Sequence, residues 1–302
     1  MTGKLLTLPA VKELLARAGA APRRSLGQNF VVDPNTVRRI ARLAGVGAGD
    51  RVVEIGAGLG SLTLALAETG AEVVAVETDG RLVPLLQEVT SHLAGATAGT
   101  TATEVADGKA GDPIGPLSVV HADARRMDWG ALLCGTGWHL VANLPYNIAT
   151  SLVLTVLDDV PAVTQMLVMC QKEAAQRLAA APGGGTYGAV SVRVATHADA
   201  ELAGAVPATV FYPRPDVESA LVRITRRAPG MKPVLRSEID RLVGTAFAHR
   251  RQMLRRTLRS ALDDVDATLA SAGIDPTDRP EQLGLAQWTR LAEVSLVAQT
   301  QG

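Results

Sequence analysis

Through its first two thirds the chain alternates short apolar runs with stretches of helical period, and that alternation leaves few folds open. The runs are Arg51–Ile55, Glu72–Val76, Ser118–His121, His139–Ala142 and Gln165–Met169. Between them, Leu62–Glu68, Arg81–Val89 and Thr150–Leu157 repeat apolar residues at helical spacing. Strands joined by helices pair in parallel, and a parallel sheet must be covered on both faces. Two later segments, Ala189–Thr196 and Glu218–Thr225, carry β-branched residues and are expected to finish the sheet as an antiparallel pair. Beyond Pro229 the period turns helical over Ser237–Ala248, Arg251–Asp263, Asp266–Ala272 and Ala286–Ala298, with breaks at Asp275-Pro276 and Arg279-Pro280. The expected organisation is an amphipathic N-terminal arm over 1–21, an α/β domain over 22–228 and a helical domain over 229–302.

Aromatic residues make up only 3% of the chain, so its cores must rest on Val, Leu, Ala and Ile. Gly95–Gly115, rich in Gly, Ala and Thr, has too little apolar surface to fold alone and reads as a mobile surface insertion. No apolar run approaches the roughly 20 residues that span a bilayer. The two cysteines, Cys134 and Cys170, lack metal-ligand spacing, and the five histidines are scattered. No metal site and no membrane association are expected; a reducing cytoplasm is. The 30 basic and 30 acidic residues cancel, which by itself argues against nucleic acid. Their distribution argues the other way: Arg241, Arg250, Arg251, Arg255, Arg256 and Arg259 fall in one segment without an acid. Such segregation suits an RNA-facing surface, with a solvated helix face as the alternative. If Arg251–Asp263 is one helix, Arg251 and Arg255 share a face, flanked by Arg250 and Arg256.

The first strand runs into Val53-Glu54-Ile55-Gly56-Ala57-Gly58-Leu59-Gly60, and a helix follows. Glycines permit torsions other residues resist and let a ligand approach the backbone. Amides at a helix start can receive an anionic group. A dinucleotide fingerprint requires G-x-G-x-x-G, and Ser61 stands at its last position, which argues against NAD without choosing another ligand. Glu77 ends the next strand, where a carboxylate can accept two ribose hydroxyls. Asp123, followed by Ala124, ends the third and can accept from an adenine amine. Acids at strand ends are common; with the glycine turn they form a nucleoside cradle along one sheet edge.

Asn143-Leu144-Pro145-Tyr146 closes the fourth strand. It resembles the motif of methyltransferases that act on exocyclic amines: Asp, Asn or Ser, an apolar residue, Pro and an aromatic. An adenine amine is a poor nucleophile because its lone pair is delocalised into the ring. The Asn143 side-chain oxygen and the Leu144 carbonyl could accept its protons and aim the lone pair. Pro145 stiffens the turn, and the ring of Tyr146 can stack on a base withdrawn from its helix. An ordinary strand-end turn is the plainer alternative.

Over about residues 22–295 the chain resembles the KsgA/RsmA family of ribosomal RNA adenine-N6 dimethyltransferases. The likeness begins at Ser25-Leu26-Gly27-Gln28-Asn29-Phe30-Val31-Val32-Asp33, where Val31 replaces the usual leucine. It continues through the glycine turn, with Ala57 for proline, and is complete over Asn143–Ile148. Gln171-Lys172-Glu173 with Tyr187-Gly188, Phe211–Ser219 and Ala246–Leu254 extend it, Gln252 standing for lysine. The resemblance implies a Rossmann-like class I S-adenosylmethionine-dependent methyltransferase sheet with a small C-terminal all-helical domain. It implies cofactor contacts from Asn29, Val31, Glu54, Gly56, Gly58, Gly60, Glu77, Asp123, Ala124 and Asn143. It also implies a second aromatic wall from Phe211, for which core packing is the alternative. The implied substrate is two adjacent adenosines in a hairpin near the 3′ end of small-subunit (16S) rRNA. Each is dimethylated by a monomeric enzyme acting on a small-subunit precursor late in assembly. An erythromycin-resistance-type enzyme acting on 23S rRNA shares the cofactor cradle but not the Phe211–Ser219 and Ala246–Leu254 segments. A non-catalytic RNA-binding assembly or transcription factor would not be expected to keep Glu54, Gly56, Glu77, Asp123, Asn143 and Tyr146 together.

Overall fold

The computed structural model describes residues 5–23, 26–91, 117–145, 148–228 and 230–301. The 95–115 insertion, Ser25 and Tyr146 therefore lie outside the described residues. The strands are β1 (Phe30–Val31), β2 (Arg51–Ile55), β3 (Glu72–Glu77), β4 (Leu117–His121), β5 (Trp138–Asn143), β6 (Val163–Gln171), β7 (Ala198–Val206), β8 (Phe211–Tyr212) and β9 (Ser219–Arg226). The helices are α1 (Leu8–Arg17), α2 (Pro34–Ala44), α3 (Ser61–Ala67), α4 (Val83–Thr90), α5 (Trp129–Leu132), α6 (Ala149–Asp159), α7 (Lys172–Leu178), α8 (Ala189–His197), α9 (Pro233–Phe247), α10 (Leu254–Thr257), α11 (Val265–Ser271) and α12 (Leu285–Gln301).

Seven strands form one sheet in the order β4-β3-β2-β5-β6-β9-β7. From β4 to β6 all pairs are parallel, and β9 joins β6 antiparallel, with Gln165 opposite Thr225 and Gln171 opposite Ser219. The interior strands are buried on both faces: Val52 to Ile55 and Val73 to Glu77 are all nearly inaccessible. That burial is why they read as unbroken apolar runs and not as alternation. The strand order reverses between β2 and β5, which places the crevice for a ligand at the carboxyl ends of those two strands.

Local chemistry sets the helix that leads the chain to this edge. Asp33 Oδ2 accepts from the Thr36 amide at 2.9 Å, Pro34 opens α2, and Gly45 ends it in the left-handed region at φ 67°. The N-terminal stretch expected as an arm is tied down. Helix α1 buries Val11, Leu14 and Leu15 in the sheet's core cluster, and Arg17 pairs with Glu88 of α4 at 2.6 Å.

The chain forms two compact units: Met1–Ala175 with Leu202–Thr225, and Gln176–Glu201 with Arg226–Gly302. In the second, α8 corrects an expectation. The β-branched residues of Ala189–Thr196 predict a strand, and the segment is a helix. Ser191 Oγ accepts from the Gly188 amide and donates to the Arg177 carbonyl, which starts it, and Val192 packs into the helical unit's own core. Burial overrides a weak intrinsic preference. The strand expected there begins at Ala198 instead.

Candidate active site and RNA-facing surface

A cleft of roughly 890 Å³, solvent at its mouth included, opens at the carboxyl ends of β2, β3 and β5. The turn between β2 and α3 forms its floor. Gly58 has φ 60°, and a Cβ there would stand 3.1 Å from the Phe30 ring; Gly60 has φ 91°, and its Cβ would meet Leu86 Cδ1 at 2.9 Å. Neither position accepts a side chain without displacing a packed neighbour. Gly56 lies against the Asn143 carbonyl, so the turn and the end of β5 are in contact.

Glu77 lines the cleft and is 5% exposed. Its Oε2 accepts from the Gly58 amide at 2.7 Å and its Oε1 from the Asp79 amide at 2.8 Å. Each oxygen keeps a lone pair for a further donor. Burial raises its pKa, and the backbone amides of Asp79, Gly58 and Thr78 oppose that rise. Glu54, deeper in the same wall, accepts from Thr63 Oγ1 at 2.5 Å, and burial pushes its carboxyl up to about 8. Asp123 also lines the cleft, but its carboxylate is engaged: Arg125 Nε and Nη2 donate to its two oxygens at 3.0 and 2.7 Å. That guanidinium holds the Asp123 carboxyl below its usual range. Ala124 is buried beside it, its carbonyl accepting from Trp129 Nε1 at 3.2 Å.

Asn143 ends β5 with its amide oriented. Its Nδ2 donates to the Asn29 carbonyl at 3.0 Å, which leaves Oδ1 without a partner among the described residues. The Leu144 amide is bound to the Met169 carbonyl at 2.9 Å. Pro145 lies ahead of α6, its carbonyl accepting from the Ile148 and Ala149 amides. Gly27, at φ 61°, lies on Pro145: a Cβ there would fall 2.7 Å from the Pro145 Cβ. The segment 26–31 is thus laid across the cleft, and Asn29, Val31, Asn143 and Pro145 line it together. Gly60 and Leu144 sit behind the lining. Phe211 is 5% exposed in the core cluster, opposite Val31 in the β1–β8 pair, and is not part of the lining. Tyr146 lies outside the described residues.

Among the lining residues given no site role from the sequence, three bear on the cleft's chemistry. Phe30 packs on Gly58, Gln28 donates from Nε2 to Asp79 Oδ2 at 2.9 Å, and Ser61 Oγ is buried without a partner among the described residues. Ser61 carried a readable signal, since it replaces the last glycine of the turn. For Gln28 no local pattern points to a partner 51 positions away.

The sequence profile of the family described as "Ribosomal RNA adenine dimethylase" matches residues 19–295. The chain belongs to that family. Among members of the dimethylase family, "Ribosomal RNA small subunit methyltransferase A" of Thermobifida fusca is 44% identical over 293 residues, covering 96% of each chain. The protein of the same name from Cutibacterium acnes is 46% identical over 297 residues, 96% of this chain and 94% of that one. Among solved structures, the 23S rRNA methyltransferase ErmE is 25% identical with a TM-score of 0.62, covering 88% of this chain and 99% of that one. A dimethyladenosine transferase from Plasmodium falciparum has a TM-score of 0.64 at 19% identity, covering 86% and 94%, a likeness of fold. In the dimethylase family's terms the sheet is a class I methyltransferase sheet. Among the described residues no helix is long and apolar enough to cross a membrane.

In the helical unit the arginine cluster differs from expectation. Arg251–Asp263 is not one helix: Met253 is extended, with φ −65° and ψ 149°, and only Leu254–Thr257 is helical. Arg250 and Arg251 lie in the turn after α9 and do not share a helix face with Arg255. The break lets the Leu254 and Arg255 amides reach the Asp278 and Pro276 carbonyls at 2.8 and 3.2 Å while Leu254 and Leu258 stay buried. Arg241 pairs with Glu238 at 2.6 Å. Arg250 donates to the Gly184 carbonyl at 3.2 Å and lies 3.9 Å from Glu281. Arg251 and Arg256 are exposed and have no ion-pair partner among the described residues.

Proposed function

We propose that this enzyme dimethylates the N6 amines of two adjacent adenosines near the 3′ end of small-subunit rRNA, acting on a small-subunit precursor. Membership of the dimethylase family and relatives named for the small subunit, matched over nearly their whole length, support the reaction and the substrate. The observation that carries the site assignment is the Asn143 amide: with Nδ2 held by Asn29, its oxygen is the end left to face a substrate amine.

S-adenosyl-L-methionine is the cofactor, and it supplies an electrophilic methyl group on a sulfonium. The cleft suits it. Glu77 offers two buried carboxylate oxygens to ribose hydroxyls, the orphaned Ser61 Oγ offers a hydrogen bond to a polar tail, and Asn29, Val31 and Ala124 complete the wall. Asp123 takes its adenine-side role with Arg125 still attached, because Oδ2, which among the described residues accepts only from Arg125 Nη2, has a second lone pair.

At the other end of the cleft Asn143 Oδ1 and the Leu144 carbonyl each accept one proton of the target amine. Two acceptors splayed from one nitrogen pull it from planar toward tetrahedral and direct its lone pair into the cleft. Neither oxygen is a base that keeps a proton, so the amine proton passes to solvent once the new C–N bond exists. Positioning supplies much of the rate. Tyr146 stacks on the withdrawn base. Phe211, buried in the core, backs Val31 of the cleft lining through the β1–β8 pair. Arg250, Arg251, Arg255 and Arg256 meet RNA phosphates.

Asn143→Ala tests the assignment. It removes an interaction made in the transition state, so methyl transfer at saturating substrate falls by about 10²–10³-fold, the scale for losing one preorganised polar group. Cofactor affinity by calorimetry changes little. Near-wild-type turnover would remove Asn143 from the mechanism.

A further inference from the structure

The segment 26–31 crosses the cleft; its far end, Phe30–Val31, is paired with β8 and buried, and a few polar contacts fasten the stretch before it. At Asn29 the backbone carbonyl takes the Asn143 amide, and the Asn29 side chain closes on its own chain at the Gly27 carbonyl, 3.1 Å away. The other fastening is the Gln28 carboxamide. Its Nε2 donates to Asp79 Oδ2 at 2.9 Å, and its Oε1 accepts from the Arg23 amide at 2.8 Å. One side chain therefore ties the chain before the segment to the tip beyond β3.

Asp79 is built to receive it. It is 4% exposed, and its carboxylate is fixed by Arg81 through Nε at 3.0 Å and Nη2 at 2.6 Å. Its backbone amide is the donor to Glu77 Oε1. Asp79 thus touches the Gln28 clasp through its side chain and the Glu77 carboxylate through its main chain. Arg81 holds the Asp79 carboxyl well below the usual carboxylate range, so the acceptor stays ionised at any working pH.

We propose that Gln28 is a positioning residue for the cofactor: with Asp79 it forms a clasp that holds segment 26–31 over an occupied cleft and sets the rate at which the cofactor leaves. This rests on the reading of the cleft as the cofactor site. The clasp acts on residence and not on the methyl-transfer step, because neither Gln28 nor Asp79 reaches the end of β5 where Asn143 stands. Opening the clasp loosens residues 26–29, and with them the Asn29 carbonyl, while Phe30–Val31 stays paired with β8.

The test uses the full chain and S-adenosyl-L-methionine, with dissociation followed by stopped flow and affinity by calorimetry. Gln28→Ala loses a hydrogen bond to a buried charge, and the cofactor leaves roughly tenfold faster. Most of the loss appears in KM for the cofactor and less in kcat. Gln28→Glu sets two carboxylates against each other and does the same or worse. Thermal melting checks that each variant is folded, and Glu77→Ala serves as the control for the site. Wild-type release from Gln28→Ala and Gln28→Glu, with weakened binding by Glu77→Ala, overturns the clasp alone. Unchanged binding in Glu77→Ala as well overturns the cofactor-site reading beneath it.

Discussion

A carboxyl group 2% exposed in the middle of a parallel sheet titrates far from where it would in an unfolded chain, and Glu54 is such a group. Burial raises it from 4.5 to about 8, against the opposing hydrogen bond from Thr63. Between those values the unfolded chain has released a proton that the folded chain still holds. Stability therefore falls as pH rises through that window and levels off above about 8. Glu54→Gln keeps an acceptor for Thr63 and removes the titration. The expected outcome is a melting temperature that no longer declines across the window and exceeds wild type near its upper end; an unchanged slope would place the ionisation elsewhere. Glu77 answers to a different measurement. Its carboxylate is proposed to take two ribose hydroxyls, a contact of about 1.5–3 kcal/mol. Glu77→Ala should weaken cofactor binding roughly 10- to 100-fold, and an unchanged dissociation constant in calorimetry would end that role. These residues were legible because their chemistry is local: the glycine turn, the acids closing β3 and β4, and Asn143-Leu144-Pro145 each sit within one turn of a strand end. Gln28 and the Asp123–Arg125 pair were not, since a side chain's partner is decided by the fold.

At the scale of elements, the strand pattern held where burial is symmetrical and misled where it is not. The Val-rich runs of β2 and β3 are covered on both faces, so composition alone marked them. The same β-branched chemistry in Ala189–Val194 builds α8, because Val192 is buried in the helical unit's own core, a partner that a one-dimensional reading cannot see. The arginine segment misled for a related reason. Arg251–Asp263 has helical spacing, but the chain turns at Met253 so that Leu254 and Leu258 can be buried in the helical unit. The proposed RNA contacts then separate by their surroundings. Replacing exposed Arg251 and Arg256 by Ala should weaken binding to small-subunit particles and lower the salt dependence by at most about 1.4–1.8 in slope for two phosphate contacts. Melting temperature should stay near wild type. Arg250→Ala should instead cost stability, because its guanidinium holds the Gly184 carbonyl and neighbours Glu281. Binding titrations in several salts, with melting curves on the same samples, separate the two; an unchanged slope in the double variant would remove both residues from the RNA surface.

For the whole molecule, the alternation of strands and helices implied a parallel sheet, and the order β4-β3-β2-β5-β6-β9-β7 is such a sheet from β4 to β6, with β9 antiparallel to β6 and β7 beyond it at the edge. That topology puts every cleft residue at one edge, and it is why a nucleoside cradle and an amine-orienting turn meet there. The fold does not choose between ribosomal subunits. ErmE, a 23S rRNA methyltransferase, shares it, and so does a dimethyladenosine transferase. The nearly full-length relatives named for the small subunit carry that choice. The most direct test offers the purified protein both options. Small and large ribosomal subunits, isolated separately from cells lacking this enzyme, are incubated with methyl-labelled S-adenosyl-L-methionine, and the label is mapped by mass spectrometry. The account predicts N6,N6-dimethyladenosine at two adjacent positions near the 3′ end of the small-subunit RNA, lost with Asn143→Ala. Label in the large-subunit RNA, or in neither RNA, would contradict it.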